Sequence, residues 1–247
     1  AAFPAIGVCV HNGILPYTEA LDRAVIASYT FYGPDGRSPT LGTGGAANHL
    51  SSDLGAFVFS SLSKDSRVHW LVQKRRPRPG FYGLGDAAMF RQTKSTMPAA
   101  KTVSPVPTKT VNLPDYGGVA MRLPGTDRYC YVHYGRELVH GHRNKLSFQA
   151  YGKGGWYARN VMGGYGNNFA NFLETVASAN TVIVDGKNAD MDTGELLFLN
   201  SSKDAICASA REIGAYKTVE HERSVILTKG PLIVIDRIKA DTPQGRL

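Results

Sequence analysis

Two histidines separated by one glycine, His140 and His142, are the residues of this sequence best suited to do chemistry. If the segment is extended, both side chains point to the same face, about 7 Å apart along the strand. Two imidazoles on one face could bind a metal ion or act as an acid/base pair near neutral pH. A loop with two solvated histidines has the same pattern, so the pair alone leaves these interpretations open.

The residues around this pair have the pattern of antiparallel β structure. Short runs of β-branched and aromatic residues alternate with turn signals such as Gly125-Thr126-Asp127 and Lys229-Gly230, which predicts a sandwich. Asp185-Gly186 predicts a hairpin turn. The last strand ends near the end of the sequence, so we expect an incomplete sandwich in a longer polypeptide. The predicted strands are 118–123, 129–134, 146–151, 181–185, 195–200, 205–210, 219–228 and 231–238.

The first 104 residues have helical periodicity instead. Apolar residues three and four positions apart predict helices over 17–32, 48–62 and 66–74, joined by Gly/Pro-rich loops. The segment 93–110 is rich in Pro, Ser and Thr, which is the composition of a linker. We therefore predict a helical domain over residues 1–104 and a β domain over residues 105–247.

The composition limits the class of function. A chain of 247 residues with 43% hydrophobic and 19% charged residues is typical of a soluble globular protein. It has no apolar run of about 18 residues, so no membrane span is expected. Its three cysteines include no C-x-x-C pair, which argues against a cysteine zinc site. The net charge of +8 favours an anionic partner, either an acidic polysaccharide or nucleic acid, although a merely basic surface would also give it.

Three motifs follow one another in the second half of the sequence. They are His140-Gly-His142-x-x-Lys145-Leu-Ser-Phe148, then Tyr151-Gly-Lys-Gly154 with Gly163-Gly-Tyr165-Gly166, then Asn180-Thr-Val-Ile-Val-Asp185-Gly186. This order resembles the heparinase II/III-like family of polysaccharide lyases, which includes alginate lyases. The segment 113–122 resembles the first strand of that family's β domain, and the segment 221–237 resembles its later strands. Phe3-Pro-Ala-Ile-Gly7 resembles a segment late in the family's helical domain.

The resemblance implies a fold and a function. The fold is α+β and multidomain: the C-terminal part of an incomplete (α/α) toroid, followed by an antiparallel β-sandwich. The function is cleavage of a uronate-containing glycan, such as alginate or a glycosaminoglycan, by β-elimination. The expected partner is therefore an acidic polysaccharide or oligosaccharide, not nucleic acid or a membrane, and the expected location is secreted or periplasmic. A missing N-terminal toroid segment or a second chain would complete the site.

The resemblance also assigns roles to single residues. His140 matches a histidine that approaches the substrate, and Tyr165 matches a tyrosine used as acid and base. Asn144, Lys145 and Trp156 are candidates for substrate binding, and Trp156 reads equally well as a core aromatic beside a β-turn. Amide side chains, including Asn160 and Asn180, would support the site by hydrogen bonds.

The metal site departs from the family pattern. His142 matches a zinc ligand, but Asn160 stands where the family has Asp, and Ala179 stands where it has His. Zinc needs about three protein ligands with anionic or imidazole donors. We therefore expect no cofactor, zinc being the one metal the pattern could hold. The departures also suggest an alternative function: an inactive glycan-binding or structural module of the same fold.

Overall fold

A computed structural model describes residues 9–10, 12–27, 29–40, 63–74, 103–104, 106–135, 143–161, 172, 175–190 and 193–240. The predicted helix 48–62 and the residues His140, His142 and Tyr165 lie outside this described part. The chain divides into two compact units. One comprises Ala1–Thr30 and Asn48–Pro107, and the other comprises Phe31–Ala47 and Thr108–Leu247. The predicted domain boundary at residue 105 stays a prediction.

The first unit contains helices α1 (Glu19–Ala27) and α2 (Ser66–Lys74). Glu19 and Asp22 lie in the first turn of α1, where negative charge complements the helix dipole. Helix α1 ends five residues earlier than predicted, because Thr30 donates its hydroxyl to the carbonyl of Ala27, 2.7 Å away, in a turn. The bounds of α2 are those predicted.

The second unit contains two antiparallel sheets. The strands are β1 (Val111–Leu113), β2 (Gly118–Arg122), β3 (Tyr129–His133), β4 (Phe148–Gly152), β5 (Gly155–Ala158), β6 (Glu195–Ser201), β7 (Ala205–Tyr216), β8 (Val219–Thr228) and β9 (Leu232–Ala240). The first sheet has the order β1 to β5 and the second has the order β6 to β9, each a simple meander.

The predicted strand 181–185 is wrong. This segment follows a short 3-10 helix (Val176–Ser178) and makes only an isolated bridge between Val184 and Lys187. Between them, Asp185 and Gly186 have φ angles of 50° and 67°. Two positive φ angles define a type I′ turn, so the predicted hairpin turn is present although the strand is not.

The two sheets pack face to face around one apolar core. Alternate residues of β2, such as Val119 and Met121, point inward and meet alternate residues of β7 and β8, such as Ile206 and Val225. All four side chains are fully buried. The period of two along each strand therefore produces the sandwich that the sequence predicted.

The outer face of the first sheet is covered by residues 31–40. Arg122 donates to the carbonyl of Tyr32 at 2.8 Å, and Gln149 exchanges two hydrogen bonds with the backbone of Thr40 at 2.8 and 2.9 Å. Because of this cover, β2 and β3 are buried on both faces and read as continuous buried strands.

Candidate functional site

Three loops meet beside strand β4, and together they contain most of the described residues that the sequence marked. The loops comprise residues 144–147, 160–161 and 178–181, and we call them the Asn160 junction. The backbone amide of Val161 donates to the carbonyl of Ser178 at 2.7 Å. The junction therefore brings together loops that are far apart in the sequence.

Asn160 is the centre of the junction. It is 4% exposed, and its amide nitrogen donates to the hydroxyl of Ser147 at 3.1 Å. Its amide oxygen accepts from the backbone and the side-chain amide of Asn180, at 3.0 and 3.3 Å. Asn180 also donates to the carbonyl of Phe148 at 3.1 Å. Both amides therefore join the loops of the junction, and their support of an active site stays a prediction.

Asn144 and Lys145 are each only 2% exposed. The ammonium of Lys145 donates to the carbonyl of Gly135, and its own carbonyl accepts from the hydroxyl of Thr181. A buried ammonium needs such a partner, because a charge without one would be strongly destabilising. Lys145 thus ties the junction to the end of strand β3. Substrate binding by Asn144 and Lys145 stays a prediction.

Trp156 lies in strand β5, among the aromatic residues on the outer face of the first sheet. Its ring meets the rings of Tyr129 and Tyr151 edge to face, with centroids 5.7 Å apart in both pairs. The guanidinium of Arg159 covers the ring at 4.8 Å, and the indole nitrogen donates to Asp35 at 2.9 Å. These contacts fit the core aromatic alternative, while substrate binding by Trp156 stays a prediction.

The sequence reasoning missed a charged cluster between β8 and β9, in which two buried side chains share the more exposed carboxylate of Asp236. Arg223 donates to both carboxylate oxygens of Asp236, at 2.7 and 2.9 Å, and His221 contacts one of them at 2.7 Å. His221 and Arg223 are 2% and 4% exposed. Both lie on the same face of β8 as the core residues Val225 and Leu227, because residues two apart in a strand share a face. Charged residues at these inward positions were the sequence signal that could have revealed the cluster.

The cluster shifts the pKa values of its members. The pKa of His221 is lowered, mainly by burial. The hydrogen bond to Asp236 opposes this shift, and the positive charge of Arg223 contributes to it. Burial alone would raise the pKa of Asp236, but hydrogen bonds from Arg223 and His221 outweigh it, and the pKa is lowered. The arrangement is therefore a neutral imidazole beside a stabilised carboxylate at neutral pH.

The described junction does not suit zinc. The side chain of Asn160 is already used in three hydrogen bonds, and Ala179 has no donor atom. Within the described ranges, no three His, Cys, Asp or Glu side chains converge as a metal site would require. His142, the remaining expected ligand, lies outside those ranges. We therefore derive no chemistry through a metal.

A groove of about 560 Å³ lies in the first unit, and its lining includes Tyr17, Asp22 and Arg67. The hydroxyls of Tyr17 and Ser63 both donate to one carboxylate oxygen of Asp22, which is 4% exposed. Burial and this hydrogen bond raise the pKa of Tyr17 to about 12. A phenol with so high a pKa is a weak acid and stays almost entirely protonated at neutral pH, so Tyr17 is poorly suited to proton transfer.

No family model matches this sequence, and no curated protein does. Within the described residues, none of the helices has the length and apolar character needed to cross a membrane.

Several solved structures have a similar fold. A heparinase III matches with a TM-score of 0.63 at 14% identity, over 89% of this chain and 32% of that chain. The heparan sulfate lyase HepC from Pedobacter heparinus matches with 0.62 at 14% identity, over 89% and 32%. Another heparinase III matches with 0.59 at 10% identity, over 91% and 34%.

The chain thus spans about a third of the length of these lyases. At such low identity the likeness is one of fold alone. It confirms the predicted antiparallel sandwich, whereas the toroid stays a prediction. The conclusion is that this chain, for all the divergence of its sequence, has a heparinase-like fold.

Proposed function

We propose that this protein is a polysaccharide lyase that cleaves a uronate-containing anionic glycan by β-elimination. The observation that carries the proposal is the fold-level likeness to heparinase III and a heparan sulfate lyase, which extends over 89% of the chain. Fold alone does not fix activity. The ordered motifs around His140, Tyr165 and Asn180 add residues of the right chemistry.

The reaction requires a base and an acid. The base takes the proton from C5 of the uronate, the electron pair of the C5–H bond forms the C4=C5 double bond, and the C4–O4 bond breaks. The acid then protonates the departing O4. His140 and Tyr165 are our candidates, because an imidazole or a positioned phenol can both accept and donate a proton.

The Asn160 junction supports this assignment because the candidate residues lie close to its loops in the sequence. His142 directly precedes Arg143 at one edge of the junction, and Tyr165 follows Val161 by four residues at another. The net charge of +8 suits a polyanionic substrate and would favour its approach. A secreted or periplasmic location, where polymeric glycans occur, belongs to the same proposal.

The test is the release of unsaturated uronate, followed by its ultraviolet absorbance, from alginate, heparan sulfate and related glycans. We expect His140→Ala and Tyr165→Phe to lower kcat by about 100-fold or more, since about 100-fold is the lower end of the contribution typical of an acid/base group. Tyr157→Phe is the matched control, because Tyr157 is 51% exposed and makes its ring contact with Arg128. The proposal fails if no glycan is cleaved, or if all three variants retain full activity.

One observation favours a second candidate, a glycan-binding module without catalysis. The side chain of Asn160, at a position where the resemblance implies a metal ligand, is occupied by hydrogen bonds to Ser147 and Asn180. Saturable binding of an acidic glycan without turnover, unchanged by His140→Ala and Tyr165→Phe, would favour this candidate. Loss of cleavage in those variants would exclude it.

A further inference from the structure

Arg223 joins the core of the sandwich to the Asn160 junction. One of its terminal nitrogens donates to the carbonyl of Leu146 at 2.8 Å and to the carbonyl of Asn180 at 2.6 Å. These two carbonyls belong to different loops of the junction. A single buried guanidinium on strand β8 therefore holds together two loops that are 34 residues apart in the sequence.

The guanidinium is itself held in one orientation. Asp236, opposite Arg223 in the pairing of β8 and β9, accepts from its two other nitrogens at 2.7 and 2.9 Å. His221 contacts the same carboxylate at 2.7 Å, and the ring of Phe148 lies 5.6 Å from the guanidinium carbon. Four of the five N–H groups of Arg223 are thus engaged, which leaves it little freedom.

The chemistry of the site requires arginine. A lysine has three donors on one atom, and it cannot chelate a carboxylate and hold two carbonyls at once. An apolar side chain would fill this core position without the desolvation cost of a buried charge, but it would leave both carbonyls without their donor. The charged cluster therefore supplies hydrogen-bond donors to two loop carbonyls, which apolar packing would not.

We propose that Arg223, oriented by Asp236 and His221, is a positioning residue that fixes the loops carrying the lyase motifs. The effect of Arg223 on catalysis rests on the proposed function. The charged cluster on β8 and β9 thereby sets the placement of the segments next to His142 and Tyr165. Arg223 touches loop backbone only, so its effect on catalysis is indirect.

The first experiment measures hydrogen exchange and needs no activity. In Arg223→Lys, we expect the amides of Ser147, Val161 and Asn180 to exchange about tenfold faster or more, while the amides of β2 and β3 keep their rates. Arg237→Lys is the matched control, because Arg237 lies on β9, is 72% exposed in its side chain, and pairs with Glu222 at 2.9 Å. It should leave all these rates unchanged.

Asp236→Asn is the second variant. It retains Arg223, so it tests the inference even if Arg223→Lys does not fold. It should also accelerate exchange in the junction, by a smaller factor. Unchanged junction amides in both variants would overturn the inference. An equal acceleration in β2 and β3 would overturn it too, since the role of Arg223 would then be general stability.

The second experiment measures steady-state cleavage in the folded fraction. We expect Arg223→Lys to lower kcat about tenfold or more with KM within about twofold, because misplaced catalytic groups slow the chemical step more than binding. An increase in KM at constant kcat would contradict the positioning role. If the unaltered protein cleaves no glycan, the proposed function fails, and hydrogen exchange still decides whether Arg223 fixes the junction.

Discussion

Asn160 illustrates, at the scale of single residues, how one buried amide side chain can join three loops by hydrogen bonds. A carboxylate at this position could bind a cation, but an amide both donates and accepts. Asn160 uses both capacities, toward Ser147 and Asn180. The junction is held by these amide hydrogen bonds, together with those that the buried Lys145 and Arg223 donate to backbone carbonyls.

Removing this amide should destabilise the sandwich unit. Asn160→Ala leaves the hydroxyl of Ser147 and two donors of Asn180 without their partner, so we expect a loss of about 2–3 kcal/mol in the free energy of unfolding. The measurement is urea denaturation. Asn112→Ala is the control, because Asn112 is exposed and accepts one hydrogen bond, from Tyr134 at 2.9 Å. Equal losses in the two variants would disprove the central role of Asn160.

His221 and Asp236 should make stability depend on pH in a defined direction. The pKa of each is lowered in the folded protein, from 6.5 for His221 and from 3.8 for Asp236. The folded state thus binds fewer protons than the unfolded state, and the free energy of unfolding falls as the pH falls. The contribution of His221 is fully present above about pH 6.5 and is lost below it.

The variant His221→Gln tests this, because glutamine can donate to Asp236 but does not titrate. Between about pH 7.5 and pH 5, its free energy of unfolding should fall less steeply than that of the unaltered protein. Asp204→Asn is the control, since Asp204 forms an ion pair with Lys229 in which both side chains are 60% exposed. A slope in His221→Gln as steep as in the unaltered protein would refute the assignment.

At the scale of elements, a close approach of two glycines fixes the end of strand β3. The carbonyl of Gly117 accepts from the amides of Tyr134 and Gly135 at 2.7 and 2.8 Å. Gly117 has a φ of 67°, and a Cβ on it would lie 1.9 Å from the Cα of Gly135. Because Lys145 binds the carbonyl of Gly135, this contact also fixes one edge of the junction.

Gly117→Ala should therefore lower the free energy of unfolding by more than about 2 kcal/mol, from the left-handed backbone and the clash with backbone atoms together. Gly125→Ala isolates the first effect, because Gly125 has a φ of 70° and open space around it. It should lower stability by only about 1 kcal/mol. Thermal or urea unfolding measures both, and similar losses would show that the close approach is unimportant.

At the scale of the whole molecule, the second unit is a sandwich whose inner face changes character along strand β8. Val225 and Leu227 belong to the apolar core, whereas His221 and Arg223 form the charged cluster under the junction. The likeness to heparinase III and HepC covers 89% of this chain but only 32% of theirs.

The β-sandwich and most of its strand positions could be predicted from the amino-acid sequence. The period of two and the turn residues are local, so the bounds of β8 and the turn at Asp185-Gly186 follow from neighbouring residues. The segment 181–185 has the composition of a strand, yet among the residues that the structure describes it forms an isolated bridge and no ladder. Pairing is a tertiary property, which composition cannot reveal.

Tertiary structure alone decided which polar residues meet. The motifs placed Asn160 and Asn180 in one family pattern, but their hydrogen bonds arise only when the loops converge beside β4. Arg223 and Asp236 look like ordinary strand residues in the sequence, because register and facing direction decide whether a charge points into the core or into water. The charged cluster under the junction exists because β8 and β9 pair in one register and turn these side chains inward.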